Sequence, residues 1–214
     1  MKKRLFCLIL CVCTLFSLSA QASGGGFYRR VQYGALAPYE NLAFSYSLSV
    51  YERFLMVPDD TVNQLLDQID AEQSEEDDAI YDMRIWYSPD GRFQLDVQVK
   101  EPTYGSFNQE IEMAPRYLEL VRDQYEENQH VQQLHEGILR EMPAGTMLET
   151  AISYDVYAED GTAHNVVFVY YDLYVDDWEY CFSLTDFGGE YETAQETLDE
   201  LVQTISVQPH EVYL

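Results

Sequence analysis

An α+β fold, with an antiparallel sheet of about six strands and helices packed mainly on one face, is what the sequence predicts, on three observations. Several segments alternate apolar and polar residues with period 2. Turn-forming residues join those segments in adjacent pairs. Helically spaced apolar residues appear between groups of strands rather than after every strand, which is not the alternation of a parallel sheet.

The chain opens with Lys2-Lys3-Arg4, an apolar run from Leu5 to Leu18, and Ser19-Ala20-Gln21-Ala22. A positive start, a short apolar stretch and an A-x-A-like site are the parts of a secretory signal peptide, so residues 1–22 are expected to be removed on export. Residues 23–39 are expected to be a flexible lead, and 40–214 a single domain.

Within that domain, Phe44, Tyr46, Leu48 and Val50 alternate with serines as one strand. Val62, Leu65, Leu66 and Ile69 follow Pro58-Asp59-Asp60 at helical spacing. After the acidic run Glu72 to Asp78, Tyr81 to Tyr87 and Phe93 to Val99 flank the turn Ser88-Pro89-Asp90-Gly91 as a hairpin. Pro115, Leu118, Val121 and Tyr125 predict a helix from about 114 to at least 129, with Val131, Leu134 and Ile138 continuing its pattern. Leu148 to Val156, Val166 to Tyr174 and Trp178 to Thr185 read as a three-strand meander. Gly188-Gly189 breaks it, and Ala194, Leu198, Leu201 and Ile205 place a closing helix over about 190–206.

The stretch Trp178-Glu179-Tyr180-Cys181-Phe182-Ser183-Leu184, the glycine break, and a helix ending in Leu201-Val202-Gln203-Thr204-Ile205 resemble the end of the PsbP and Mog1-like domains of exported bacterial proteins. The resemblance covers roughly the last third of the chain. It implies a fold used mostly as a non-catalytic accessory or binding module, with helices on both faces of its sheet. The polar outer faces of several strands point here to two layers instead.

Charge narrows the partners. The chain carries 38 Asp+Glu against 12 Lys+Arg, a net charge of −26. Loss of Lys2, Lys3 and Arg4 with the signal leaves nine cations against 38 acids, or −29. Such a field repels phosphate backbones and anionic lipid, so nucleic acid is not an expected partner. No segment after the signal is apolar for the roughly 20 residues of a membrane span. The acidity serves solubility outside the cell or attracts a cationic ligand.

No residue set dictates a chemistry. The sequence lacks a G-x-S-x-G nucleophile turn and a phosphate-cradling glycine loop. His130 and His135 are not spaced as zinc ligands, and the run Glu72 to Asp78 lacks the central glycine of a calcium loop. Cys181, alone once the signal is gone, is a packed strand residue or a thiol paired with His164. With so many acids, paired carboxylates carry little information. No catalytic residue, metal site or cofactor is therefore assigned.

The aromatic load stands out, with 18 tyrosines. Tyr170 and Tyr174, with Asp176 and Asp177, form a cluster suited to sugars or cationic side chains. Trp86 falls on the polar side of its strand with Asp82 and Arg84, and is expected to be exposed for binding beside Gln94, Asp96 and Gln98. The rival expectation is that the chain around Phe27 and Tyr28 folds over it. The function these features indicate is a secreted, acidic, non-catalytic binding or accessory protein with a protein or glycan partner outside the cytoplasm. The alternatives are an extracytoplasmic hydrolase using paired carboxylates and a structural envelope component.

Overall fold

The computed structural model describes residues 31–72, 79–102, 112, 131–157 and 161–208. The expected signal segment, the acidic run beyond Glu72 and the helix expected over about 114–129 lie outside these residues. The architecture is α+β. Strands β1 (Leu36–Asn41), β2 (Tyr46–Tyr51) and β10 (Ser206–Val207) form a small sheet in the order β1-β2-β10. Strands β3 (Leu55–Met56), β4 (Ile80–Tyr87), β5 (Phe93–Lys100), β6 (Val131–Met142), β7 (Gly145–Tyr157), β8 (Ala163–Val175) and β9 (Trp178–Asp186) form a seven-stranded sheet in the order β3-β4-β5-β9-β8-β7-β6. Helices α1 (Asp59–Glu72) and α2 (Tyr191–Val202) flank it, and every strand pair is antiparallel.

The central pairing sets which side chains share a face. On β5 and β9, Leu95 lies opposite Leu184, Val97 opposite Phe182 and Val99 opposite Tyr180. These rings and branched chains join Ala194, Leu198, Leu201 and Val202 of α2, and Tyr46, Leu48 and Val50 of β2, in one buried cluster. The next residues along β5, Gln94, Asp96 and Gln98, therefore point to the other face. There Met83 and Ile85 of β4 pack with Val62 and Ile69 of α1. The two helices thus cover opposite faces, where the sequence reading had helices mainly on one. Polar residues such as Gln94, Asp96, Ser183 and Thr185 are buried on the α1 face, so a polar strand face did not mean a wet one.

Three further differences have local causes. β1 begins at Leu36, inside the segment expected to be a flexible lead, because its backbone pairs with β2 from Leu36↔Tyr51 to Asn41↔Tyr46. β6 is a strand where Val131, Leu134 and Ile138 suggested helix. Its pairing with β7 slips between Gln133 and His135 and again between His135 and Ile138, and each slip resets the period-2 pattern. The shifted phases imitate a 3–4 spacing.

Trp86 is the third difference. It pairs with Leu95, not with the glutamine row, and is only 4% exposed. A ring beside Leu95 and Val97 belongs to the main core, and Tyr39 of β1 covers it edge-on at 5.0 Å. The expectation of an exposed Trp86 is overturned by that register. A segment of the same chain does cover it, through Tyr39; the Phe27 and Tyr28 of the rival expectation lie outside the described residues.

Candidate functional site

One end of the large sheet carries an aromatic platform. The β8–β9 hairpin turns through Asp176 and Asp177, with Asp176 in the left-handed region at φ 55°, a conformation that Asp tolerates. The turn delivers Trp178 as the first residue of β9. The β1–β2 turn brings Phe44 to it: Asn41 Oδ1 accepts from the Phe44 N–H at 3.2 Å, and Phe44's carbonyl accepts from the Tyr180 hydroxyl at 3.1 Å. The Phe44 and Trp178 rings lie 5.2 Å apart.

Tyr81 completes the set through a defect in pairing. The β4–β5 register shifts between Ile80 and Asp82, leaving Tyr81 as the extra residue of a bulge, and a bulge re-aims the side chain it carries. Tyr81 stacks on Trp178 at 5.8 Å with 27° between the rings, and it remains 47% exposed. Leu42, on the same turn as Phe44, is 79% exposed.

Carboxylates border the rings. Asp176 and Asp177 are exposed, and the Tyr180 hydroxyl is pushed up to about 12 first by burial and then by the charge of Asp176. Glu101, also exposed, follows Lys100, whose cross-strand partner Glu179 comes directly after Trp178, so Glu101 sits one step beyond the last paired residues at the Trp178 end of β5.

On the opposite face of the same end, Lys100 Nζ meets Glu179 Oε1 at 2.7 Å, and the Tyr174 hydroxyl donates to Glu179 Oε2 at 3.0 Å. Cys181 sits between Gln98 and Asp172. Burial pushes its thiol well up, and the Asp172 carboxylate adds to this while Lys100 only partly offsets it. A thiol held protonated is not an activated nucleophile. His164 pairs with Val156, eight positions along β8 from Asp172, so it lies about 26 Å from Cys181 at the usual rise per residue. The Cys181–His164 pair does not form.

Paired carboxylates do occur, under α2. Glu149 is fully buried, accepts from Arg140 Nε at 2.6 Å, the Tyr191 hydroxyl at 2.9 Å and Gln195 Nε2 at 3.0 Å, and lies 3.2 Å from the Tyr171 hydroxyl. Tyr171 donates to Asp199. Burial raises the Asp199 carboxyl above its ordinary value, which the Tyr171 bond partly offsets. Arg140, Tyr191 and Gln195 donate to Glu149, while the single hydrogen of the Tyr171 hydroxyl goes to the nearer Asp199, and this set of bonds fastens the helix to the sheet. Among the described residues, no group of three or more His, Cys, Asp or Glu is placed to hold a metal ion.

Of the residues singled out from sequence, Tyr174, Asp176 and Asp177 come to the platform end. Tyr170 lies farther up β8, its ring half-buried against Phe168 at 5.3 Å, and Trp86 is buried. Phe44, Tyr81, Glu101 and Trp178 are not among the site residues that the sequence reading singled out. The position of Trp178, first in its strand after an Asp-Asp turn, is a signal that marks it as the more exposed of the two tryptophans.

No family model matches the chain, and no curated protein matches it in sequence. Among solved structures, cyanobacterial PsbP (CyanoP) from Synechocystis sp. PCC 6803 matches with a TM-score of 0.50 and 13% identity, over 87% of this chain and 98% of that one. The Ran-binding protein Mog1p of Saccharomyces cerevisiae matches with a TM-score of 0.46 and 13% identity, over 82% and 96%. The chain has the PsbP/Mog1-like fold that its C-terminal meander and closing helix resemble.

Proposed function

We propose that this is an exported, acidic, non-catalytic binding or accessory protein that engages a protein partner outside the cytoplasm through the Phe44–Trp178–Tyr81 platform. The observation that carries the reading is the platform itself: stacked rings left partly open at a sheet end and bordered by acids, in a molecule whose other tryptophan is buried. Exposed aromatic groups of this kind are the usual energetic centres of interfaces. Full burial of Glu149 among Arg140, Tyr191 and Gln195, which all donate to it, and the protonated state of Cys181 speak against catalysis at those two sites. Export rests on the N-terminal pattern, and the mature chain is expected to begin at Ser23.

The test uses the exported protein in its own cells, with a photocrosslinking amino acid at Tyr81 or, as a control, at Leu139, which is 49% exposed on β6. A discrete adduct from position 81 and none from position 139 supports the reading, provided that excess wild-type protein competes it away and the Trp178→Ala protein does not. Absence of any adduct at 81, or equal adducts at both positions, overturns it. N-terminal sequencing of the secreted material checks the start at Ser23.

A further inference from the structure

Resting on the platform as a binding surface, we infer that its occupant is an arginine side chain on an extended basic segment of the partner protein. Three features of the surface select that chemistry. The first is the open face of the stack: Tyr81 is 47% exposed and lies nearly parallel to Trp178, at 27°, so the pair presents a flat π surface. A planar guanidinium covers such a surface and is attracted by its quadrupole.

The second is the rim. Asp176 and Asp177 are exposed in the turn that leads directly into Trp178, and Glu101 is exposed at the same end of β5. Carboxylates are the groups that bind the N–H edge of a guanidinium. The cations of the two neighbouring strands are engaged elsewhere. Lys100 is turned to the other face and bonded to Glu179 at 2.7 Å, while Arg84 meets Asp82 at 2.8 Å and Asp59 at 2.9 Å. The side chains of Asp176, Asp177 and Glu101 themselves carry the sign of charge that a guanidinium meets favourably. Leu42, 79% exposed beside Phe44, supplies apolar surface for the methylene stem.

The third is the molecule's field. A net charge of −26 draws basic segments toward the surface and repels acidic ones, which raises the encounter rate for the first class alone. A neutral glycan gains nothing from that field.

The experiment labels the wild-type protein with 5-fluorotryptophan, which gives two 19F signals because the chain has two tryptophans; Trp178→Phe assigns them. The probes are a Gly/Ser-flanked tri-arginine peptide, the same peptide with citrulline in place of arginine, and a chitin oligosaccharide. The inference expects the arginine peptide to shift the Trp178 signal and leave the Trp86 signal in place. The citrulline peptide should bind at least 10-fold more weakly. Asp176→Asn combined with Asp177→Asn should weaken the arginine peptide about 10-fold and flatten its salt dependence. These two turn residues are exposed, so the double variant is expected to fold, and the unshifted Trp86 signal verifies that it has. If the oligosaccharide shifts Trp178 and the arginine peptide does not, the platform reading stands and this inference falls. If no probe shifts Trp178 at millimolar concentration, both fall.

Discussion

Asp96 is a carboxyl group buried with a single amide as its partner. Both its oxygens accept from Gln94 Nε2 at 2.9 Å, and among the described residues no cation pairs with it and Gln94 Oε1 has no hydrogen-bond partner. Burial pushes its pKa up from 3.8 to about 7, with the Gln94 bond pulling slightly the other way. The folded state therefore keeps a proton that the unfolded chain has released. Its contribution to stability is fully present below about pH 4 and is lost as pH rises to about 7, a loss on the order of 4 kcal/mol at 1.36 kcal/mol per pKa unit. Asp96→Asn keeps the shape of the neutral form and can pair amide to amide with Gln94. In urea titrations the variant is expected to match wild type near pH 4 and to exceed it by a few kcal/mol at pH 8; parallel pH curves would refute the assignment. The difference curve removes contributions of opposite sign, such as Glu190, whose carboxyl Arg92 holds below its ordinary value. The two tryptophans give a second contrast at this scale. Trp86→Ala opens a core cavity and is expected to cost about 3–5 kcal/mol, whereas Trp178→Ala, partly exposed, is expected to cost about 1 kcal/mol. Denaturation curves of the two variants report both values.

Helix α2 is held by its surroundings more than by its own ends. Its N-cap residue Glu190 makes no side-chain cap, and its last turn has no basic residue to meet the negative end of the helix dipole. Asp199 and Glu200 sit near that end, where negative charge is unfavourable. Two tyrosines of the sheets offset this, Tyr171 donating to Asp199 and Tyr51 to Glu200 at 2.7 Å. At the other end, Arg92 bridges Asp186 at 2.9 Å and Glu190 at 2.7 Å, tying the β4–β5 turn to the helix start. Gly189 is required there, because at φ 72° an added Cβ would come within 2.7 Å of the Asn165 carbonyl oxygen. Glu149 gathers donors from α2 and β6, so Glu149→Ala leaves several of them unpaired in the interior. It is expected to cost about 3–5 kcal/mol and to speed amide exchange across Tyr191–Val202. Arg140→Ala, at a pair whose cation is 37% exposed, is expected to cost about 1 kcal/mol. Equal costs for the two variants would mean that the ion pair, and not the set of neutral donors, fastens the helix.

At the scale of the molecule, the net charge of −26 opposes compaction, and screening relieves it over a Debye length of about 10 Å at 0.1 M salt. Melting temperature is expected to rise by a few degrees between 10 mM and 300 mM sodium chloride at pH 7. A fall would show that ion pairs such as Lys100–Glu179 and Arg92–Asp186 outweigh the general repulsion, although both are buried and weakly screened. The same field is the reason the platform favours basic partners, so its affinity for the arginine peptide should decline over the salt range in which the fold gains stability.

The sequence by itself determined the meander, the β4–β5 hairpin and both described helices, since their period-2 and helical patterns are local properties read over a few residues. It also determined the sign of the net charge. Only the tertiary structure decided which strand face was covered, because Trp86 joins Leu95 or the glutamine row according to a pairing register that a one-residue slip inverts. The same holds for β6, whose slips disguise its period, and for β1, whose partner strand supplies its hydrogen bonds. The platform could not be read along the chain for a related reason. Phe44, Tyr81 and Trp178 are far apart in sequence, and they meet through a turn, a bulge and a hairpin end that different strands contribute.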